Sequence, residues 1–186
     1  YVRGEQGDDV LEVTNDGGAY YAYGGTGHDV LELSGTGSSY ASGQGDEGDD
    51  LIRATETSGN LYVYGNADND TLEVESGSGG TSALGGDGND RITLVSASGS
   101  SYLGGDAGDD VIEADIDAGL LDVYGGTGDD IATLNTGAGL ASVYGGEGND
   151  RIVVESGAEL ARLYGEAGND TLAGGAAGDR LDGGDG

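Results

Sequence analysis

The chain lacks several residue types on which most folds depend. Its 186 residues contain no cysteine, proline, methionine, tryptophan or phenylalanine, and all six basic residues are arginine. Without cysteine there is no disulfide framework and no thiolate for a soft metal. Without phenylalanine, tryptophan and methionine, a conventional wide core would lack its usual bulky side chains. No apolar run approaches the ~20 residues that a membrane span needs, so we expect no membrane insertion.

The charge is almost entirely of one sign. Thirty-six acidic residues against six basic ones give a formal net charge of −30. This balance argues against nucleic acids and anionic membrane surfaces as partners and favours cations. Composition alone also fits a disordered acidic chain, because a chain that buries little apolar surface cannot offset its conformational entropy. The periodicity of the sequence argues against disorder.

A glycine-rich pattern, G-x-x-G-x-D or a close variant, recurs along the chain. Its sixth position is an aspartate in nine places: Asp9, Asp29, Asp50, Asp70, Asp90, Asp110, Asp130, Asp150 and Asp170. These aspartates are evenly spaced, except that the interval from Asp29 to Asp50 is longer than the others by a single position. The extra residue predicts a bulge near Ser42 to Gln44, where glycine and serine interrupt the strand pattern.

Apolar and polar residues alternate after each motif, as in Leu11 and Val13 or Ile92 and Leu94. This period of two predicts a strand with one buried face. A small polar turn such as Thr136 to Gly139 follows, and then a second short strand, so that two strands and two turns form one coil. Nine stacked coils place equivalent strands in parallel about 4.8 Å apart and bury a narrow core.

Tyrosines directly precede several motifs, at positions whose parity is opposite to that of the inward residues: Tyr23, Tyr64, Tyr124, Tyr144 and Tyr164. They predict an outward aromatic ladder that stiffens the stack. A stripe that binds sugar or a protein partner is the alternative.

Stacking also places the nine aspartates over one another. Two such charges repel by roughly 1 kcal/mol in water and by about 3 to 4 kcal/mol at an effective dielectric constant of 20. A divalent cation between successive loops would turn this repulsion into attraction. Carboxylate and carbonyl oxygens in a flexible loop favour calcium over magnesium. A phosphate-binding loop is excluded because there is no lysine and the loops alternate with strands, not helices.

The segments GGTGHDVLE, GGDGNDRIT, GGTGDDIAT and GGEGNDRIV resemble the nonapeptide G-G-x-G-x-D-x-U-x of the RTX (repeats-in-toxin) family. The resemblance implies a right-handed parallel β-roll with Ca²⁺ between the loops of adjacent coils. It assigns side-chain oxygens to the nine aspartates and backbone carbonyls to other loop positions, among them Gly25, Gly27, Gly86, Gly88, Gly126, Gly128, Gly146 and Gly148. Nine loops leave eight gaps, so at most eight ions are expected, which would bring the net charge from −30 to about −14.

The chain departs from the family pattern in three ways. Family arrays repeat every nine residues with a motif on both sides of the roll, whereas this chain has one motif per coil, so a single calcium row and metal-free far turns such as Ser96 to Ser100 are expected. The loop Gly65 to Asp70 has Asn66 at its second position and Asp68 at its fourth, which predicts a weakened or rearranged site. Spacing returns to nine within residues 165–186, with GGAAGDRLD from Gly174. We interpret residues 1–186 as a single repeat domain cut from a longer array.

The leading hypothesis is a calcium-binding structural module of a secreted bacterial RTX protein, which leaves the cell by type I secretion and folds on calcium outside it or at the cell surface. The alternatives are an accessory or carbohydrate-binding module of a polysaccharide-modifying enzyme, a rod-like extender of an adhesin or surface-layer protein, and an unfolded acidic calcium buffer. The alternatives also include a toxin as the parent protein, and a cell-surface component or a polysaccharide as a binding partner. No enzyme is predicted, because the only histidine, His28, has no nucleophile to pair with and is interpreted as a solvated loop residue.

Overall fold

The computed structural model describes residues 1–96, 98–157, 160–176 and 178–186, and in these residues the chain is a parallel β-solenoid of about nine turns without a helix. The strands are β1 (Val2–Gln6), β2 (Val10–Asn15), β3 (Gly18–Thr26), β4 (Val30–Gly35), β5 (Ser38–Glu47), β6 (Leu51–Glu56), β7 (Asn60–Ala67), β8 (Thr71–Ser76), β9 (Thr81–Asp87), β10 (Arg91–Ser96), β11 (Ser100–Ala107), β12 (Val111–Thr127), β13 (Ile131–Glu147), β14 (Arg151–Gly157), β15 (Leu160–Ala167), β16 (Thr171–Ala173) and β17 (Arg180–Asp182). This confirms the all-β solenoid and its repeat period. No helix in this part of the chain is long and apolar enough to cross a membrane.

The strands form two faces that are joined by the glycine loops on one side and by the far turns on the other. The downstream face consists of the strands that follow a loop, such as β8 and β10, and the upstream face consists of those that precede one, such as β9 and β11. Neighbouring strands on each face are parallel and pair one coil apart, so Ile92 lies between Leu72 and Ile112. β12 and β13 continue through the far turn and contribute to both faces.

The core is a thin layer of aliphatic side chains between the two faces. Alternate residues of each strand point inward, and Leu72, Ile92, Leu103 and Leu121 are all fully buried. A single coil could not bury these side chains, because it is the coils on either side that cover them. Stacking therefore supplies the burial that a wide core supplies in an ordinary domain.

The bulge predicted near Ser42 to Gln44 is wrong. Gly18 pairs with Ser38 and Ala19 pairs with Tyr40, so the extra residue of the longer coil lies at the start of β5. Gly43 is a packing position instead, since an added Cβ there would lie 2.5 Å from Leu33 Cδ1. The glycine that suggested a bulge thus makes room for a neighbouring leucine.

One further irregularity was not expected from the sequence. A register shift between Leu134 and Asn135 leaves one extra residue in β14. The last coil, in which Leu163 pairs with Leu181, is shorter than the others, in line with the nine-residue spacing of this segment. The far-turn prediction for Ser96 to Ser100 includes Ala97, and the GGAAGDRLD segment includes Ala177; both residues lie outside the described part of the chain.

One far turn contains a buried acid that the sequence pattern did not indicate. Glu56 is fully buried, and its Oε1 accepts backbone N–H groups from Gly37, Ser58 and Gly59 at 3.1 to 3.3 Å. Burial, and then the nearby charge of Glu56, raise the pKa of Tyr20 to about 12. The turn thus holds its acid with backbone donors, in the way that a capping carboxylate does.

The tyrosines form stacked columns on the outer side of the upstream face. Ring centroids are 4.8 Å apart for Tyr124 and Tyr144 and 4.9 Å apart for Tyr144 and Tyr164, with interplanar angles of 8° and 9°. This part of the predicted ladder is confirmed, and Tyr102 extends it at 5.2 Å from Tyr124. Tyr64 does not continue it, because Leu84 and then Gly104 occupy the next positions in register.

The alternation of buried and exposed side chains in β10 gives a direct test of the inward register. Leu94 is fully buried and the adjacent Val95 is 50% exposed. We expect Leu94→Ala to lower the free energy of unfolding by about 2 to 5 kcal/mol, through lost burial and a cavity. The matched control, Val95→Ala, should change it by less than about 0.5 kcal/mol. Urea unfolding followed by circular dichroism measures both, and equal losses would contradict the assigned faces.

Candidate metal centre

The sixth-position aspartates form a continuous hydrogen-bond ladder along the stack. Each lies directly before the first residue of a downstream strand. In eight successive steps the backbone N–H of one aspartate donates to Oδ1 of the aspartate in the next coil, at 2.7 to 2.9 Å. The sequence predicted the superposition but not this bond. Through it, the structure brings all nine predicted aspartates into one column.

The other oxygen of each of these carboxylates has no hydrogen-bond partner. Within the described part of the chain, Oδ2 is buried and unpaired in all nine: Asp9, Asp29, Asp50, Asp70, Asp90, Asp110, Asp130, Asp150 and Asp170. A buried, ionised carboxylate oxygen without a partner is costly, and proteins satisfy such groups with a donor, a proton or a metal ion. The column therefore offers one free anionic oxygen per coil.

The first glycine of each loop makes room for this oxygen. An added Cβ at Gly125 would lie 2.4 Å from Asp130 Oδ2 and 2.4 Å from the carbonyl oxygen of Gly145 in the next coil. At Gly145 the corresponding distances are 2.2 Å to Asp150 Oδ2 and 2.8 Å to the Gly165 carbonyl oxygen. Two oxygens from successive coils thus converge over each first glycine. A side chain there would displace them.

The second and fourth loop positions turn their carbonyl oxygens into the gap between coils. The eight glycines predicted at these positions all have positive φ, between 118° and 140°: Gly25, Gly27, Gly86, Gly88, Gly126, Gly128, Gly146 and Gly148. An added Cβ at Gly126 would meet the Asp106 carbonyl oxygen at 2.0 Å, and one at Gly128 would meet the Gly108 carbonyl oxygen at 2.1 Å. These carbonyls therefore point along the stack from one loop to the next.

The loop from Gly65 to Asp70 keeps this frame despite its substitutions. Asn66 and Asp68 adopt φ values of 85° and 76°, a region that asparagine and aspartate enter more readily than most residues. Asp70 keeps both ladder bonds, at 2.8 Å and 2.7 Å. The backbone of this loop is therefore not rearranged, and a lower metal affinity there stays a prediction.

A second ladder, which sequence reasoning missed, runs along the fifth loop position. There the backbone N–H of one coil donates to the side chain of the preceding coil, at 2.7 to 3.2 Å in eight steps from Asp8 to Asn169. Its direction is opposite to that of the first ladder. The signal was present in the sequence, because every fifth position is aspartate, asparagine or histidine, all of which can accept a hydrogen bond.

His28 belongs to this second ladder. Its Nδ1 accepts the backbone N–H of Asp49 at 3.2 Å, in the place where other coils use an Asx oxygen. Nδ1 also lies 3.1 Å from the Asp49 carbonyl oxygen, so it accepts the N–H in the tautomer protonated on Nε2 and donates to this oxygen in the other tautomer. The residue is exposed, as predicted, but it also carries a structural bond that the sequence interpretation did not include.

Burial raises the pKa values of five aspartates in the middle of the column well above the usual range. Desolvation is the largest cause in each case, opposed by the ladder bond and reinforced by the neighbouring carboxylates. The pKa is raised to about 6 for Asp50 and Asp90, to about 7 for Asp110 and Asp130, and to about 8 for Asp70. Without a cation, these groups therefore bind protons near neutral pH.

The donor set suits a hard cation. No group of three or more histidine, cysteine, aspartate or glutamate side chains is placed to hold a metal among the residues described. Backbone carbonyls would therefore supply most ligands, together with the free Oδ2 atoms. Oxygen-only donors in loops are the preference of Ca²⁺, so the residues present fit the ion that the sequence predicts.

The last coil shows the same arrangement on the opposite side of the roll. Asp179 Oδ1 accepts the Ala161 N–H at 2.9 Å, and an added Cβ at Gly174 would lie 2.6 Å from Asp179 Oδ2. By contrast Asp117, on the far side of an earlier coil, is exposed. A carboxylate packed against a first glycine therefore occurs where the glycine motif is present, whichever side of the roll carries the motif.

Comparison with known families agrees with this geometry. The RTX calcium-binding nonapeptide repeat matches four copies in the chain, within residues 57–80, 124–158 and 162–186. This confirms the resemblance drawn from the motifs. No curated protein and no solved structure matches the chain. The structure extends the same loop geometry to coils that the family model does not cover, such as the coil of Asp29.

The first-glycine cradle predicts a strong effect of a single methyl group. Gly125→Ala should push Asp130 Oδ2 and the Gly145 carbonyl oxygen apart, so we expect a loss of calcium affinity of at least about tenfold, which corresponds to ~1.4 kcal/mol. Gly17→Ala is the matched control, because an added Cβ at Gly17 has nothing within 4 Å. Isothermal titration calorimetry measures both variants. Unchanged binding by the Gly125 variant would contradict the cradle.

The raised pKa values predict that acid stabilises the metal-free protein. The pKa values of about 6 to 8 in the folded state lie above the unfolded value of ~3.9, so the folded state binds more protons. Their contribution to stability is complete below about pH 4 and is lost as the pH rises through about 6 to 8. In chelator, we expect the melting temperature to fall from about pH 5 to about pH 8. A melting temperature that rises over this range would refute the assignment.

Proposed function

Because the chain carries the RTX calcium-binding nonapeptide repeat, we propose that it is a structural module whose β-roll is closed by Ca²⁺ ions between successive loops. The observation that carries the proposal is the column of nine buried Oδ2 atoms without partners. Bound Ca²⁺ supplies the positive charge that this column requires. The chain's own residues hold the loops in register, exclude water from the column and aim the oxygens.

Each gap offers a similar set of proposed ligands. Between the loops that begin at Gly105 and Gly125, these are Asp110 Oδ2 and the carbonyl oxygens of Asp106, Gly108 and Gly125. The corresponding positions repeat in every gap, so nine loops accommodate up to eight ions in one row. The carbonyls at the second and fourth positions are the reason for including Gly25, Gly27, Gly86, Gly88, Gly126, Gly128, Gly146 and Gly148 among the ligands.

The energetics make calcium decisive for folding. Extracellular calcium modules bind at about 10⁻⁴ to 10⁻³ M. A calcium concentration ten times the dissociation constant adds about 1.4 kcal/mol per site, and eight sites add on the order of 11 kcal/mol. This equals the whole stability of a typical domain, ~5 to 15 kcal/mol. The roll should therefore be closed where calcium is abundant and open where it is scarce.

This dependence supports a secreted protein. RTX repeat proteins are typically secreted, and a chain that stays extended at low calcium suits export in the unfolded state. We propose a bacterial parent that uses type I secretion and folds outside the cell or at its surface. The proposal covers a toxin, an adhesin or a surface-layer protein as the parent.

A rod-like extender is the second candidate. It is favoured by the stacked column of Tyr124, Tyr144 and Tyr164, which adds aromatic contacts along the long axis. The same stacking disfavours carbohydrate binding by this column. Sugars pack against exposed faces of aromatic rings, and here the face of each ring packs against the next tyrosine ring. More coils on either side in the parent protein would support the extender.

The proposed switch predicts a calcium-specific gain of structure. Titrating the metal-free chain with Ca²⁺ at about pH 8 should produce cooperative β signal in the circular dichroism spectrum, whereas Mg²⁺ at equal concentration should not. Full β structure in chelator at this pH would refute the switch. An unfolded chain that binds calcium without any β signal would support the acidic-buffer alternative.

Two aspartates of the same coil give the matched control. Asp110→Ala should remove one buried ligand and shift the calcium midpoint of the titration upward. Asp117→Ala removes an exposed acid of the far side and should leave the midpoint nearly unchanged. Equal shifts in the two variants would contradict a single calcium row.

A further inference from the structure

The outer side of the upstream face carries, near its C-terminal end, a patch whose acidic and basic residues balance. The patch lies on β11, on the second halves of β12 and β13, and on β15 and β17. Its outward residues form three columns, which the strand register fixes. We call these three columns the neutral patch, because two aspartates and two arginines are their only charged residues: Asp122, Asp182, Arg162 and Arg180.

Two of the three columns are apolar. Leu120, Leu140 and Leu160 lie in register on three successive coils, and Leu120 is 50% exposed and Leu140 39% exposed. The second column is the tyrosine stack, of which Tyr124 is 37% exposed. Two apolar columns that flank a middle column without net acidic charge, on a chain with a formal net charge of −30, give this area the character of an interaction surface.

The charges of the middle column are complementary to the same column read in the opposite direction along the stack. In order along the stack it reads Tyr102, Asp122, Ser142, Arg162 and Arg180. A two-fold axis that runs along β13 beside Ser142 keeps the strand direction and reverses the order of the coils. It therefore places Asp122 opposite Arg162 of a second copy, Tyr102 opposite Arg180, and Ser142 opposite itself.

The apolar columns obey the same symmetry. The axis places Leu120 opposite Leu160 and Leu140 opposite itself, so that leucine meets leucine across the contact. It also places Tyr124 opposite Tyr164. Isologous contacts of this kind, in which one patch binds its own copy, are the commonest form of homodimer. Charge complementarity and apolar matching thus select the same partner and the same orientation.

From this juxtaposition we propose that the neutral patch is a homodimerisation surface, on which a second copy of the chain packs face to face with its coils in reverse order. The patch offers about 400 Å² of flat sheet per copy, which is small for a specific interface. The dimer is therefore weak, with a dissociation constant of about micromolar to millimolar. It goes beyond calcium binding, since none of the patch residues named here is a proposed ligand.

Sedimentation velocity of the full chain in saturating Ca²⁺ tests the proposal, with circular dichroism to verify the closed roll. We expect a concentration-dependent monomer–dimer equilibrium. Asp122→Arg and Arg162→Asp should each weaken it about tenfold, because each change replaces two attractive contacts of the dimer with two repulsive ones. The double variant should restore the dimer. Leu140→Glu, which places two like charges on the axis, should abolish it.

Matched controls lie on the opposite face. Glu75→Arg and Arg151→Asp make the same charge changes at exposed sites of the downstream face, and they should leave the equilibrium unchanged. If the folded chain without substitutions stays monomeric up to about 1 mM, the proposal is overturned. A double variant that does not recover dimerisation would also overturn it. Loss of β signal in calcium would instead count against the calcium-dependent fold, so the two proposals fail separately.

Discussion

The structure depends on a carboxylate that is only half satisfied. In every coil after the first, one oxygen of the sixth-position aspartate accepts a backbone N–H from the preceding coil, and the other is buried with no donor. The first contact locks the coils in register, and the register brings the second oxygens into one column. The geometry that stacks the coils therefore also concentrates the negative charge. A roll of this kind needs protons or cations to be stable.

The glycines and the two ladders make this arrangement possible. First-position glycines leave space for the buried carboxylate, and residues with positive φ at the second and fourth positions, mostly glycine, aim carbonyl oxygens along the stack. The two ladders have opposite directions, so each loop is held from both sides. Far turns carry no such arrangement over most of the described chain, and Glu56 shows how one of them holds a buried acid through backbone donors.

The sequence predicted the features that repeat, because a constant period reports directly on stacking. The nine aspartates, the inward apolar residues and the stack of Tyr124, Tyr144 and Tyr164 all follow from it. Prediction failed where one residue type has several structural uses. Gly43 indicates a bulge but packs against Leu33, and His28 has the sequence context of a solvated residue although its ring accepts a ladder bond. The neutral patch could not be seen in the linear sequence, since its columns are assembled from residues one coil apart.

The central claim is that cations occupy the gaps beside the free Oδ2 atoms. Crystals grown in calcium, with the anomalous signal of the ion recorded, test it most directly. The account predicts one row of up to eight peaks between the loops from Gly4 to Asp170, each about 2.3 to 2.6 Å from an aspartate Oδ2. A closed roll with no peaks in these gaps, or with its ions confined to the far turns, would contradict it.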